Sequence, residues 1–367
     1  MLDSMEADRV LFSNLEARIL DLERSLSELR AQRARVQERL GAYKYPVLTL
    51  PNEITSEIFL HFLPVYPDAP PPIRLDSPTT LTHVCRQWRE VALATPALWR
   101  ALKLSDYDDV FKSYKPIRRI FDAYIRRSGS CPLSIDIDIY DQNILDEIFK
   151  ETFAMAATRL EHLKLFIPGG FRPNFGRMPL LRFLDVGVED KDKAEVIIYD
   201  APQLRTVVLR GDHLDQNLAL PWAQLTSLTF NYVRIDRCTS ILRQTTNLVR
   251  CHLLLHGGFY QFPIPDLTLL CLESLTLETP SRQTADFLSA FLVPALRSLH
   301  LQEAFLGINP IQALKTFIAK SECRLQEVCI TYHSTNGNTH FEQYQLAFPS
   351  ISISYRPAPK RAWSPEI

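Results

Sequence analysis

Several histidine and aspartate side chains are spaced in ways that could support metal or acid–base chemistry. His252 and His256 are four residues apart, a separation that suits a metal pair when both lie on a helix. Residues 253–255 are all leucine and favour a strand, in which residues i and i+4 are roughly 13 Å apart. Asp136 and Asp138 would share one strand face and could hold a cation, although a solvated strand face is the simpler interpretation.

The sequence lacks the short motifs that usually mark a catalytic centre. HExxH and GxSxG are missing, and so are the P-loop and the dinucleotide-binding glycine pattern. Seven irregularly spaced cysteines without a CxxC favour neither a disulfide framework nor a zinc site. We therefore expect no enzyme activity, no cofactor and no metal. Reduced cysteines indicate the cytoplasm, the nucleus or both.

Charge and hydropathy exclude two classes of partner. The 41 basic and 42 acidic side chains leave no basic field for a nucleic acid or an anionic membrane. No run approaches the roughly 18–20 apolar residues that span a bilayer. The expected partners are therefore proteins.

The first 45 residues carry the densest charge in the chain, eight acidic and eight basic side chains. Apolar residues recur among them at alternating steps of three and four, the a/d pattern of a coiled coil over about four heptads. The row comprises Phe12, Leu15, Ile19, Leu22, Leu26, Leu29, Val36 and Leu40, with Arg33 in the same series. This pattern predicts a helix within residues 1–44. It leaves open whether the helix pairs with a second copy or lies against its own chain.

Residues 45–105 have the pattern of a small helical module. A first helix is expected after Pro51, and the proline-rich stretch 64–80 is expected to be an exposed, partly polyproline loop. Residues 81–91 place apolar side chains on one face of a second helix, and Thr95-Pro96 would begin a third. So small a unit cannot easily bury all its large apolar side chains, which predicts a partner.

The residues of this module resemble an F-box. The resemblance is carried, in the family's order, by Leu50-Pro51-x-Glu53-Ile54, Ile58-Phe59, Leu63, Val84-Cys85-x-x-Trp88 and Leu98-Trp99. The proline-rich insert departs from compact family members. The resemblance implies binding to a Skp-type adaptor and, through it, to a cullin. By matching position, it implies that the adaptor-facing residues are Leu50, Pro51, Ile54, Ile58 and Val84. It also implies that Cys85, Trp88 and Trp99 belong to the core of the module or to its junction with the following segment.

A repeated pattern dominates the second half of the chain. The motif Lxx(L/V/C)x(L/V/F/I) begins at Leu160, Leu181, Leu204, Leu225, Leu248, Leu272, Leu296 and Leu325. Successive starts are 21 to 29 residues apart, the spacing of leucine-rich repeats. Its apolar positions would point into a shared core, and the residues between them outward from a short parallel strand. Connecting segments such as 284–292 and 310–319 are predicted to be helices on the convex side.

Outward positions two, four and six residues after each first leucine are the expected contacts for a protein target. They include Lys164, Phe166, Asp185, Arg210, Asn231, Arg250, His252, Glu278, His300 and Gln302. His162 also lies at such a position. For each residue the alternative is a solvated strand face, and the mixture of charges predicts no class of target.

Together these patterns predict an α/β multidomain chain. It comprises a heptad-patterned helix (1–44), a small three-helix F-box (45–105), a linker helix (106–130), a leucine-rich-repeat solenoid (131–356) and a flexible tail (357–367). The solenoid would have parallel short strands and convex-side helices. The set is similar to F-box-like proteins of mushroom-forming fungi, which implies a substrate receptor of a Skp–cullin–F-box ubiquitin ligase. The alternative is a non-catalytic repeat scaffold that dimerises through the N-terminal coiled coil and has no ligase role.

Overall fold

The computed structural model describes residues 2–42, 46–105, 114–150, 152–168, 175–188, 196–198, 200–211, 218–255, 266–279, 287–332 and 337–357. Its chain divides into two compact units, Met1–Ile58 and Phe59–Ile367. The described residues form a mixed α/β protein with a long N-terminal helix and a large parallel sheet, in agreement with the expected class. His256 and the predicted tail beyond residue 357 lie outside the described residues.

The heptad-patterned segment forms a single long helix, α1 (Leu2–Ala42). The eight apolar residues of the predicted row are all exposed, from 44% for Val36 to 70% for Leu40. Leucine, arginine and glutamate have high helix propensity, which accounts for a continuous helix without a buried face. The row is therefore apolar surface in the single chain.

The helical module contains more pieces than the sequence predicts. Its helices are α2 (Asn52–Phe62), α3 (Pro78–Val84) and α4 (Arg86–Leu93), followed by a 3-10 turn, Pro96–Trp99. The prediction of one continuous second helix was wrong at Cys85, whose backbone is extended. The Cys85 Sγ accepts a hydrogen bond from the Trp88 backbone N–H at 3.4 Å and so caps the start of α4.

Six further helices lie in the rest of the described chain. They are α5 (Tyr114–Arg127), α6 (Gln142–Lys150), α7 (Thr152–Ala157), α8 (Ile235–Leu242), α9 (Pro310–Ser321) and α10 (Gly337–Ala347). Helix α5 coincides with the helix predicted between module and repeats, and it buries Ile117, Phe121, Tyr124 and Ile125 as its 3.6-residue period requires.

Eleven strands form one parallel sheet. The strands of the chain are β1 (Ala101–Ser105), β2 (Leu133–Asp138), β3 (Leu160–Ile167), β4 (Phe183–Val188), β5 (Val196–Ile197), β6 (Thr206–Arg210), β7 (Leu218–Ala219), β8 (Ser227–Val233), β9 (Arg250–Leu255), β10 (Leu267–Thr268), β11 (Ser274–Glu278), β12 (Phe291–Leu292), β13 (Ser298–Gln302), β14 (Glu327–Tyr332) and β15 (Ser352–Pro357). The order in the sheet is β1-β2-β3-β4-β6-β8-β9-β11-β13-β14-β15. Because the strand order in the sheet follows the sequence, each repeat lies next to the one that follows it in the chain.

Each of the eight predicted motifs supplies one strand of this sheet, and these strands pair in register except at a bulge between Asn231 and Val233, where β8 pairs with β9. Leu163 is opposite Leu184, which is opposite Val207, and the three side chains are completely buried. One strand cannot cover its own apolar face, so burial requires the neighbouring repeats. The sheet also begins earlier than the first motif, since β1 pairs with β2 through Leu102 and Ile135.

A tight turn precedes six of the motif leucines. The backbone N–H of the leucine donates to the carbonyl three residues earlier, at 3.1–3.3 Å, in the pairs Leu181–Met178, Leu204–Ala201, Leu225–Trp222, Leu248–Thr245, Leu272–Leu269 and Leu296–Val293. The first residue of each turn is buried. Proline follows it at Pro179, Pro202 and Pro294, where its fixed φ suits the second position of a β-turn. Part of the proline content therefore belongs to the repeat.

The connections between motifs are only partly helical. Helix α9 confirms the prediction for 310–319, and proline occupies its first turn. The helix predicted at 284–292 was wrong for the described residues, where a 3-10 turn at Leu288–Ala290 leads into β12. Strand β12 pairs in parallel with β10. Phe287, Leu288, Ala290 and Phe291 are all buried, whereas an amphipathic helix turns about half of its side chains toward solvent.

The proline-rich stretch 64–80 packs against the sheet, and the prediction of an exposed loop was wrong for Pro70 and Pro72, which are buried. The Pro70 carbonyl accepts a hydrogen bond from the Lys103 backbone N–H at 2.9 Å. The Pro67 carbonyl accepts one from the Ser134 hydroxyl at 2.5 Å. Since β1 is the edge strand, the insert covers an edge that would otherwise present unpaired backbone groups.

Candidate functional site

The residues that match the adaptor-binding positions of the F-box motif are largely exposed. Leu50 is half-buried and Pro51 is exposed just before α2. On α2, Ile54 and Ile58 are 51% and 48% exposed. Val84 belongs to the second unit, where it is the last residue of α3 and 56% exposed.

Helix α2 has a buried side as well as this exposed apolar side. Thr55 and Phe59 are buried, and the Thr55 hydroxyl donates to the Pro51 carbonyl at 3.1 Å. Ile54 and Ile58 are one turn apart, and each directly precedes a buried residue. Ile54 and Ile58 therefore form exposed apolar surface beside the buried side of the helix.

The predicted target-facing residues lie on the polar strand face, which we define as the sheet side opposite the buried leucine rows. Strand pairing arranges them in rows that run across the sheet. One row contains Lys164, Asp185, Val208, Thr229 and His252. A second row contains Phe166, Gly187, Arg210 and Asn231.

Charges alternate along the amino-terminal part of the polar strand face. Lys103, Asp136, Lys164 and Asp185 are successive cross-strand neighbours. The Lys103 Nζ lies 4.0 Å from a carboxylate oxygen of Asp136. Burial raises the pKa of Asp136 above its ordinary value, and the ammonium groups of Lys103 and Lys164 act in the opposite direction. The ammonium group of Lys103 therefore lies beside Asp136, one of the two aspartates that the sequence suggested as cation ligands.

Asp185 and Arg210 form the strongest ion pair on this face. Arg210 donates through Nε and Nη2 to the two carboxylate oxygens, each at 2.7 Å. Asp185 is buried, whereas 57% of the Arg210 side chain is exposed. Hydrogen bonding to Asp185 raises the pKa of Arg210. Bidentate geometry fixes both side chains, so this pair is a rigid feature of the surface.

The remaining predicted target residues are dispersed. The His252 Nε2 lies 3.7 Å from a Glu278 carboxylate oxygen on the adjacent strand. Gln302 is buried, and its side-chain oxygen accepts the Thr279 backbone N–H at 3.1 Å, directly after the end of β11. The others are partly or fully exposed at separate positions, namely Arg250, Asn231 and His300.

Tyr66 connects the insert to the strand that carries His162. Its hydroxyl donates to Glu161 at 2.9 Å and lies 3.4 Å from the His162 Nδ1. The Arg100 guanidinium lies 4.1 Å above the Tyr66 ring. Burial, followed by the Glu161 carboxylate, raises the pKa of Tyr66, and burial lowers the pKa of His162. Neither Tyr66 nor Glu161 was predicted, because their contact spans 95 residues of sequence.

Within the described ranges, no group of three or more His, Cys, Asp or Glu side chains could hold a metal ion. Burial raises the pKa of Cys251 and Cys323. Among the helices of the described chain, none combines the length and apolar character needed to cross a bilayer.

Comparison with known proteins adds no assignment. No protein-family model matches the chain, and no curated protein gives a significant match to its sequence.

Proposed function

We propose that this chain is a non-catalytic substrate receptor of a Skp–cullin–F-box ubiquitin ligase. Residues 45–105 would be an F-box that binds a Skp-type adaptor, and the repeats would bind a protein target. The observation that carries the proposal is the exposure of Ile54 and Ile58 at motif positions, while Phe59 on the same helix is buried. An adaptor of standard interface size would cover on the order of 1,600 Å² in total.

The parallel sheet supports the second half of this proposal. Its regular register is the arrangement expected of a leucine-rich-repeat domain. The polar strand face then offers successive side chains at fixed spacing to one extended surface of a target. Under this proposal the receptor accelerates ubiquitin transfer by proximity alone, in the cytoplasm, the nucleus or both.

Ile54→Asp/Ile58→Asp is expected to reduce co-purification of a Skp-type adaptor at least about tenfold, since burying two isoleucines contributes several kcal/mol to an interface. Because both side chains are exposed, the fold should tolerate the change. The measurement is recovery of co-expressed adaptor with the full chain, alongside Leu50→Ala/Pro51→Ala.

Val65→Asp/Leu75→Asp is the matched control. These side chains are 84% and 85% exposed and lie outside the motif positions. The control should recover adaptor as the unmodified chain does. Equal recovery from all variants, or none from the unmodified chain, would exclude the ligase proposal.

A second candidate is the repeat scaffold that dimerises through residues 1–44. The exposed heptad row of α1 favours it, because apolar seams of this length are normally covered by another helix. The occupant would be the same helix of a second copy. This candidate is compatible with an adaptor-binding chain and becomes the whole function if no adaptor binds.

Leu22→Glu/Leu26→Glu is expected to convert such a dimer into a monomer of 42.2 kDa, because two acidic side chains would face their copies across the seam. Sedimentation equilibrium of the full chain measures this. Val10→Glu/Leu20→Glu adds the same charges to exposed positions outside the row and should leave the mass unchanged. A monomeric unmodified chain would exclude the dimer.

A further inference from the structure

A cleft of about 480 Å³ opens on the polar strand face where β3, β4 and β6 begin. It is lined by His162, Arg182, Phe183, Gln203, Arg205 and Thr206. Five of these six side chains carry hydrogen-bond donors or can do so, and the sixth is aromatic. The lining contains no carboxylate.

The charges around this cleft are unevenly compensated. Glu161 lies 3.4 Å from the Arg182 Nε, but it also accepts the Tyr66 hydroxyl. The Arg182 Nε also donates to Gln203 at 3.3 Å. Within the described chain, Arg205 Nη1 donates to the backbone oxygens of Pro202 and Leu204. Among the described residues, no acidic side chain forms an ion pair with Arg205, so its positive charge is not neutralised there.

The acidic side chains near the cleft, in contrast, lie beside basic side chains. Asp185 is held by Arg210, Asp136 lies beside Lys103, and Asp200 lies within 2.5 Å of the Arg177 Nε. The acidic part of this surface is thus neutralised internally, whereas the cleft retains positive charge. Guanidinium groups stay protonated at any physiological pH, so this charge is permanent.

The surroundings also limit what an anionic ligand could be. Two guanidinium groups, one of them already 3.4 Å from a Glu161 carboxylate oxygen, can balance a single anionic group but not the successive phosphates of a nucleic acid. Phe183 offers an apolar contact beside the guanidinium groups, which suits the stem of a side chain.

We propose that this cleft is a subsite for one anionic side chain, a carboxylate or a phosphate ester, of an extended peptide segment in a protein target. Arg182 and Arg205 would bind the anionic group from two adjacent repeats, and Gln203 and Thr206 would donate further hydrogen bonds. The identity of the occupant as a ligase target rests on the proposed function; the anion preference does not.

The test uses fluorescein-labelled nine-residue peptides of glycine and serine with a central glutamate, glutamine or phosphoserine. Fluorescence anisotropy with the full chain should give tighter binding for glutamate than for glutamine, by about tenfold for a bidentate ion pair. Arg182→Gln/Arg205→Gln should abolish this preference. Tighter binding of the phosphoserine peptide than of the glutamate peptide would assign the site to phosphate esters. Equal binding of these two peptides would assign it to carboxylates.

Arg243→Gln/Arg324→Gln removes the same charge from exposed positions outside the cleft and should keep the preference. Equal binding of glutamate and glutamine peptides to the unmodified chain would overturn the proposal, as would equal loss in both double variants. Adaptor recovery should be unchanged in the cleft variant. A chain that prefers glutamate but recovers no adaptor would retain the subsite and lose the ligase proposal.

Discussion

Trp99→Ala is expected to lower the free energy of unfolding by about 3–5 kcal/mol, at the upper end for a single core substitution. The Trp99 side chain is 1% exposed. Its Nε1 donates to the Ala92 carbonyl at 2.8 Å, and its ring meets Tyr124 edge-on at 5.0 Å. Substitution removes a large buried ring and one of the hydrogen bonds to that carbonyl, which also accepts the Thr95 backbone N–H at 3.4 Å.

The position of Trp99 explains why the resulting cavity should not collapse. The 3-10 turn that ends at Trp99 leads directly into β1, and the Arg127 guanidinium covers the ring at 4.4 Å. Tyr124 is itself buried, and burial raises its pKa to about 12. Residues of α4 and α5 contact this one side chain, and the turn that carries it leads into the sheet, so none of these elements can move inward without disturbing another.

Urea denaturation of the full chain measures the effect, with Trp88→Ala as the control. Trp88 is only half-buried, and its Nε1 has no hydrogen-bond partner among the residues that the structure describes. It does contact Phe59, at 4.9 Å between ring centres. Its loss should therefore cost about half as much as that of Trp99. Equal losses would contradict the structural role assigned to Trp99.

The sheet could be predicted because its determinants are local and repeated. Eight copies of one apolar spacing specify eight strands, and their burial requires stacking in chain order. A ninth copy was present but unrecognised. Trp99, Leu102 and Leu104 occupy the three apolar positions of the motif, with tryptophan in place of the first leucine. Allowing an aromatic residue at that position would have predicted β1.

The insert and the break at Cys85 could not be predicted in the same way. Pro67 and Pro70 contact residues 67 and 33 positions away, and composition alone gives no indication of such pairs. Cys85 fits two alternatives, a residue on the apolar face of one continuous helix or a thiol that caps the start of a second helix. The spacing of apolar residues favoured the continuous helix, whereas the structure has the cap. Local sequence patterns therefore predicted the helices and strands, whereas long-range hydrogen bonds determine where the irregular segments lie.

The candidate surface was predicted in outline only. Even offsets from the motif leucines select one side of each strand, but which side chains pair with each other depends on the register across repeats. Asp185 and Arg210 are 25 residues apart and meet because β4 and β6 are neighbours. Arg182 and Arg205 directly follow a motif leucine, an odd offset that the prediction omitted. Offset alone thus missed the cleft.

Gly211→Ala is the second substitution with a large expected effect, about 2–4 kcal/mol of lost stability. Gly211 follows β6 with φ of 104°, a conformation that side chains rarely adopt. An added Cβ would lie 2.7 Å from the Val188 carbonyl oxygen of the neighbouring strand. Backbone cannot yield there without disturbing the sheet, because the Gly211 N–H also donates to the Asn231 carbonyl at 3.0 Å.

Gly176→Ala separates the two contributions. Gly176 has a similarly positive φ of 62°, but an added Cβ would meet no atom within 4 Å. This control should therefore cost only the backbone preference, about 1 kcal/mol. The excess loss in Gly211→Ala, measured by urea denaturation of both variants, reports the close approach of two adjacent repeats. If the two substitutions cost the same, the contact with Val188 contributes nothing. A clear excess would assign the additional loss to the contact between the new Cβ and the Val188 carbonyl oxygen.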